Sequence, residues 1–294
     1  MPEGPEIKRA ADQIAAAIEG RRALQVSFAH GHLKRHESEL QGRRITRVAP
    51  RGKALLTHFE GGRVIYSHNQ LYGRWYVCRP ERPPRTGRQL RLAIHTRERW
   101  ALLYSASEIE VLDADRLDEH PFLARLGPDL LDPRTRPAKI RRRLVDPRFR
   151  RRRLGALLLD QGFLAGTGNY LRSEILHFAG LHPDRRPVDC AEAELAELAR
   201  QALRLGRRAY RLKGVTDDSA RVAEGKRQGL PRRIWRHAVF GLAGRPCPRC
   251  GTPIEKHSAG GRRCYLCPRC QPAAPAQGSG ASSDTAAGRS APST

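Results

Sequence analysis

Read from the N-terminus, the apolar positions first recur with a helical period. Ile7, Ala10, Ala11, Ile14 and Ile18 share one face of a helix predicted over residues 5–19. Pro5 suits its first turn, and Gly20 supplies a stop. From about residue 22 to 113 the pattern shortens. Apolar or β-branched runs at 24–29, 44–49, 54–59, 63–67, 74–78, 90–95, 100–104 and 109–112 are separated by turn residues such as Gly61-Gly62. That spacing predicts about eight strands in an antiparallel sandwich or barrel. Helical periodicity returns over 137–212, with helices predicted at 137–145, 152–162, 169–179 and 191–210. The segment Ala165-Gly166-Thr167-Gly168-Asn169 reads as a glycine-rich turn between the second and third of these. Residues 214–232 are polar and unpatterned, which predicts a flexible loop.

These changes of pattern predict a multidomain α+β chain. Residues 1–120 form an N-terminal helix plus antiparallel β-sandwich, and 121–136, with Pro121, Pro128 and Pro133, form a linker. Residues 137–232 form a helical domain, and 233–271 form a small cysteine-bearing module. Residues 272–294 hold too little apolar surface to fold and are expected to be a disordered tail.

Charge sharpens the picture. The chain has 294 residues, with 55 basic against 30 acidic side chains and a net charge of +25. A polyanionic partner follows, nucleic acid before an anionic membrane surface. Nearly all the basic charge is arginine. A GC-rich genome explains arginine in place of lysine, but not the excess of bases over acids. No stretch approaches the roughly 18 apolar residues of a membrane span. The start MPEGPEIKRA lacks the basic region and apolar run of a signal peptide. A secreted or membrane protein is not expected.

Seven cysteines occur, at 78, 190, 247, 250, 264, 267 and 270. Cys247-x2-Cys250 and Cys267-x2-Cys270 are separated by residues 251–266, the spacing of a zinc ribbon. Four thiolates close a tetrahedral shell, so one structural Zn2+ is expected, not a catalytic metal. Arg245, Arg249, Arg262, Arg263 and Arg269 surround it and suit phosphate. Cys78 and Cys190 read as semi-buried thiols.

The N-terminus carries a different chemistry. Removal of Met1 leaves Pro2 with a free secondary amine, which titrates near ~7.7–8.0 and is partly nucleophilic at neutral pH. Such an amine condenses with an aldehyde-level carbon to an iminium. Glu3 is adjacent for acid/base work, and Glu6 lies one helical turn on. The same residues also read as a stiff start with two acids satisfying a helix N-terminus.

Taken together, the motifs resemble those of the formamidopyrimidine-DNA glycosylase and endonuclease VIII family. The start MPEGPEIKRAAD carries the resemblance, as do RGKALLTHF (51–59), YSHNQLYGRW (66–75), LLYSASEIEVL (102–112), HPFLARLGPDLLDP (120–133) and LLLDQGFLAGTGNYLRSEIL (157–176). These stretches are closest to the bacterial endonuclease VIII branch. The resemblance covers about residues 1–271, and implies a helix–two-turn–helix DNA-binding domain followed by a C-terminal zinc finger. It implies a bifunctional base excision repair enzyme, a DNA glycosylase and AP lyase, acting on damaged double-stranded DNA in the bacterial cytoplasm, associated with the nucleoid. By resemblance, Pro2 forms the Schiff base, Glu3 is the general acid/base, and Lys53 is a proton donor and phosphate contact. Arg262 corresponds to the finger arginine linked to the second elimination, and Asn169 to a phosphate-binding asparagine. Gln70, Leu71 and Tyr72 correspond to the loop that fills the gap left by an everted nucleotide, and Arg125 to a further DNA contact. The glycines of the turn would let backbone N–H groups approach phosphate.

Two departures stand out. Gly4 replaces the leucine usual in the formamidopyrimidine type, and residues 214–235 match no endonuclease VIII segment. Oxidised pyrimidines are the expected substrates. The alternatives are an oxidised-purine enzyme of the formamidopyrimidine type and a non-catalytic zinc-finger DNA-binding protein. A monomer is expected, since one chain holds every part.

Overall fold

The computed structural model describes residues 2–273; the tail expected from 272 lies, from residue 274, outside the described residues. Helix α1 (Gly4–Ile18) buries Ile7, Ala11, Ile14 and Ile18 of the predicted stripe, while Ala10 at its edge is half-buried. The eight strands follow as β1 (Gln25–Phe28), β2 (Ile45–Arg51), β3 (Ala54–Phe59), β4 (Arg63–His68), β5 (Arg74–Cys78), β6 (Leu90–His95), β7 (Trp100–Tyr104) and β8 (Glu108–Asp113). A short helix α2 (Glu37–Leu40) lies between β1 and β2. The strands form two antiparallel sheets in the orders β1-β6-β7-β5 and β2-β3-β4-β8. Val26, Phe28, Leu55, Ile65, Leu92, Ile94, Leu103 and Ile109 fill the space between them together with the α1 stripe.

The helical region comprises α3 (Pro137–Val145), α4 (Leu154–Leu157), α5 (Asn169–Ala179), α6 (Glu192–Arg211), α7 (Ser219–Arg227) and α8 (Arg232–Trp235). Its core joins Ile140, Leu144, Leu157, Phe163, Leu171, Ile175, Leu198 and Ala202. The last two strands, β9 (Glu255–Ala259) and β10 (Arg262–Leu266), pair as a hairpin whose Ala259 and Cys264 enter that same core. The finger is therefore packed onto α5 through one face of its hairpin.

Two expectations need correction. The helix predicted at 152–162 is only one turn long. Asp160 Oδ1 accepts the Gly162 N–H at 2.8 Å, and Arg143 donates to the Gly162 and Phe163 carbonyls, so the backbone leaves the helix there. Residues 214–232 are not a loop either. Asp218 caps α7 by accepting the Ala220 N–H at 2.8 Å. Thr216 and Asp217 are buried, and Gly225 lies so close to Trp235 that a Cβ there would meet its ring. Tertiary burial and a cap order a segment that has no apolar period.

Candidate active site

Three separate stretches converge around the N-terminus of α5. The first is the chain start. Gly4 donates to the Gly166 carbonyl at 2.8 Å, and the two backbones cross so closely that a Cβ on Gly4 would lie 2.9 Å from Gly166 Cα. This contact explains the glycine at position 4. It lays Glu3 under the glycine-rich turn, where Gly168 leaves room for its carboxyl.

Glu3 is 2% exposed. Its oxygens accept the N–H of Tyr170 at 2.8 Å and of Leu171 at 3.3 Å. The anion slot at the start of α5 is therefore filled by the protein's own carboxylate, not left for a phosphate as the turn alone predicts. The Gly166 N–H is also taken, by Gln161 Oε1 at 3.0 Å. Burial pushes the Glu3 carboxyl up to about 7, against the pull of the Lys53 charge and the two N–H donors. Glu6 plays the capping part instead: its Oε2 accepts the Glu3 N–H at 3.0 Å, and it also accepts from the Tyr170 hydroxyl. Burial raises its pKa as well. Pro2, immediately before Glu3, is half-buried.

The second stretch is the β2–β3 turn. Gly52 there has φ +61°, and Lys53 follows it into a site only 8% exposed. Burial lowers the Lys53 pKa, Glu3 opposes this, and the positive charge of Arg262 adds to it. Lys53 also bears on His68, at the end of β4, where Ala54 pairs with His68. The next residues form the β4–β5 loop. Gln70 has φ +47° and is held by Glu108 and Ser107, both at 2.8 Å. Leu71 and Tyr72 stand 61% and 69% exposed, an apolar pair held out into solvent. The Gly73 N–H closes the turn on the Asn69 carbonyl at 2.7 Å.

The third stretch is α5 with the finger hairpin. Asn169 opens α5, and its Oδ1 accepts from Arg172 at 2.7 Å, which turns the amide NH2 away. Arg172 is fully buried and also donates to the carbonyls of Gly155, Ala259, Arg262 and Arg263. One guanidinium thus fixes Asn169 and the backbone of Arg262 together. Arg262 is exposed at the start of β10. Glu174, one turn on, accepts the N–H groups of Ala238, Val239 and Phe240 and the Thr216 hydroxyl. Pro2, Glu3, Glu6, Lys53, Asn169 and Arg262 therefore belong to one neighbourhood. Arg125 is tied to the Pro121 carbonyl at 2.7 Å and is exposed, and among the described residues it makes no side-chain hydrogen bond to that group.

The metal site is separate from this chemistry. The Sγ atoms of Cys247, Cys250, Cys267 and Cys270 all lie within 4.8 Å of one another. Four thiols converging from two knuckles fit a tetrahedral Zn2+. Cys264 faces the other way, its thiol 3.6 Å from the Ser173 hydroxyl.

Family models match this architecture piece by piece. The formamidopyrimidine-DNA glycosylase N-terminal domain matches residues 1–108, its H2TH domain matches 126–219, and the zinc finger found in FPG and IleRS matches 244–273. Endonuclease 8 of Salmonella schwarzengrund is 49% identical over 271 residues, covering 92% of this chain and all of that protein. Endonuclease 8 of Escherichia coli O17:K52:H18 is 48% identical over the same coverage. This chain belongs to the formamidopyrimidine-DNA glycosylase and endonuclease VIII family. A solved complex of the Lactococcus lactis Fpg with a DNA containing N7-benzyl-Fapy-dG shares the fold at a TM-score of 0.77 and 21% identity, covering 92% of this chain and 100% of that one. The zinc finger of the family model and the four-cysteine cluster together assign one structural Zn2+ to this member of the family. Among the described residues no helix is long and apolar enough to cross a membrane.

Sequence reasoning missed Asp129, Tyr170, Arg172 and Glu174. The signal for the last two was present. Arg172, Ser173, Glu174 and His177 sit in an otherwise apolar stretch of α5, and all are fully buried. Charged groups on a buried helix face need dedicated partners.

Proposed function

We propose that this chain, a base excision repair DNA glycosylase and AP lyase, removes oxidised pyrimidines from duplex DNA through its N-terminal proline. The observation that carries the reading is Glu3. A carboxyl pushed up to about 7 beside a proline amine, facing a buried lysine, is poised to give and take protons at neutral pH. Structural capping does not require this, since Glu6 already caps α1.

In this reading the everted nucleotide enters between the α1 start and the β2–β3 turn. The Pro2 nitrogen attacks C1′, and the C1′–base bond breaks, its electron pair leaving with the base, which carries off the proton that the Pro2 nitrogen gives up. Glu3 protonates the ring oxygen as the sugar opens to the iminium. Loss of a C2′ proton expels the 3′ phosphate, and a second elimination expels the 5′ phosphate. Water then frees Pro2. Lys53 supplies a proton and a phosphate contact, and Arg262 steadies the departing phosphate. The free NH2 of Asn169 and the guanidinium of Arg125 bind backbone phosphate. Leu71 and Tyr72, with Gln70, plug the emptied stack, which suits their exposure on a fixed turn. Cys247, Cys250, Cys267 and Cys270 would hold the zinc, which would brace the knuckles flanking the hairpin that presents Arg262. Glu3 also closes the start of α5, but a non-catalytic binder would leave Lys53 buried beside it without a purpose.

The lesion class is tested by single-turnover excision from duplexes carrying thymine glycol opposite A or oxidised guanine opposite C. The expected result is faster release of thymine glycol. Faster release of oxidised guanine overturns the pyrimidine assignment.

A further inference from the structure

Lys53 sits at the tip of a two-residue turn, and a turn tip does not fix itself. The β2–β3 ladder closes with Arg51 opposite Ala54, so Gly52 and Lys53 lie beyond its last pair. The Gly52 N–H is taken by a residue far away in the chain: Asp129 Oδ2 accepts it at 2.9 Å. The second oxygen of the same carboxylate accepts the Leu131 N–H at 2.8 Å. Asp129 is half-buried, and both of its oxygens are held by backbone donors.

The segment that carries Asp129 makes a second attachment. Ala165 donates to the Pro128 carbonyl and accepts from the Leu130 N–H, both at 3.0 Å, so residues 128–130 run alongside the start of the glycine-rich turn. The following residue, Gly166, carries Gly4, and through it Glu3. Leu126 and Ala165 also close over Gly52, within 3.4 Å of where a Cβ would be. One short stretch therefore takes its position from the turn above Glu3 and passes it to the turn that bears Lys53.

We propose that Asp129 is the positioning residue for Lys53: its carboxylate holds the Gly52 N–H so that the lysine keeps its place opposite Glu3. The inference rests on the reading of Lys53 given above. It assigns Asp129 no contact with DNA. Loss of the carboxylate frees the Gly52 N–H and lets the turn tip drift. A displacement of about 1 Å at a reacting group costs on the order of 100-fold in rate.

The test is a double-mutant cycle on excision of thymine glycol from duplex DNA, with Lys53→Ala, Asp129→Ala and the pair, alongside the melting temperature of each. Asp129→Ala is expected to lower kcat about 10- to 100-fold with KM within about twofold, and to have no further effect once Lys53 is alanine. Asp129→Asn, which keeps one acceptor oxygen, restores part of the loss and serves where the alanine variant unfolds. If the two losses multiply in the double variant, or if both Asp129 variants keep the wild-type rate, Asp129 does not act through Lys53. If Lys53→Ala alone keeps the wild-type rate, the reading of Lys53 fails, independently of the Asp129 result.

Discussion

At the scale of single residues, the site is organised by who satisfies whom. Glu3 could have capped its own helix, but Glu6 does that, and Glu3 is used to close the start of α5. Its folded pKa of about 7 lies above the ordinary 4.5, so its ionised form opposes folding. The stability tied to this carboxyl is fully present below about 4.5 and is lost as pH rises through about 7. Glu3→Gln is therefore expected to flatten the fall in denaturation midpoint between those pH values, while lowering base excision by about 100- to 10,000-fold. Parallel midpoints for both proteins across that window would contradict the burial argument. Gly4 is the second residue of consequence. A leucine there, as in the formamidopyrimidine type, meets the Gly166 backbone, and Gly4→Leu is expected to cost about 1–3 kcal/mol in urea denaturation. A neutral result would show that the crossing can open without penalty.

At the scale of elements, hydrophobic period carried most of the information. The stripe on α1 and the alternation in the strands locate α1 and all eight strands, because each element has one face to bury. Helix α7 was invisible for the opposite reason. It buries little apolar surface, and is held by the Asp218 cap and by Gly225 lying against Trp235. The site divides in the same way. Cys247, Cys250, Cys267 and Cys270 were legible from spacing, whereas Pro2, Glu3, Lys53 and Asn169, which the fold brings together, were singled out through the resemblance. Asp129, Tyr170 and Arg172 act through long-range backbone and buried contacts that no local pattern displays. The finger's two cysteine knuckles converge on the metal site. Stripping zinc with a chelator is expected to disorder the two cysteine knuckles that close the hairpin and to abolish duplex binding while the sandwich stays folded. Full binding by zinc-free protein, measured by fluorescence anisotropy, would remove the finger from the DNA interface.

At the scale of the whole molecule, the charge of +25 resolves into parts with different duties. Arg172 is buried and structural, and in the run 148–153 Arg148, Arg152 and Arg153 form surface pairs with Asp146, Asp160 and Asp184. Arg125, Arg262 and Arg263 stay exposed and suit phosphate. The logarithm of the affinity for duplex DNA is expected to fall linearly with log salt, with a slope of about −0.9 per phosphate contact. Arg125→Ala and Arg262→Ala should each reduce that slope by about 1 in anisotropy titrations; an unchanged slope would exclude the residue from the backbone contacts.

All of this rests on Pro2 as the nucleophile, and one measurement addresses it directly. The processed protein is incubated with duplex DNA holding a single abasic site, reduced with borohydride, digested, and the crosslinked peptide mapped by mass spectrometry. The mechanism predicts one adduct on the nitrogen of Pro2. No adduct, or an adduct on a lysine such as Lys53, would contradict it.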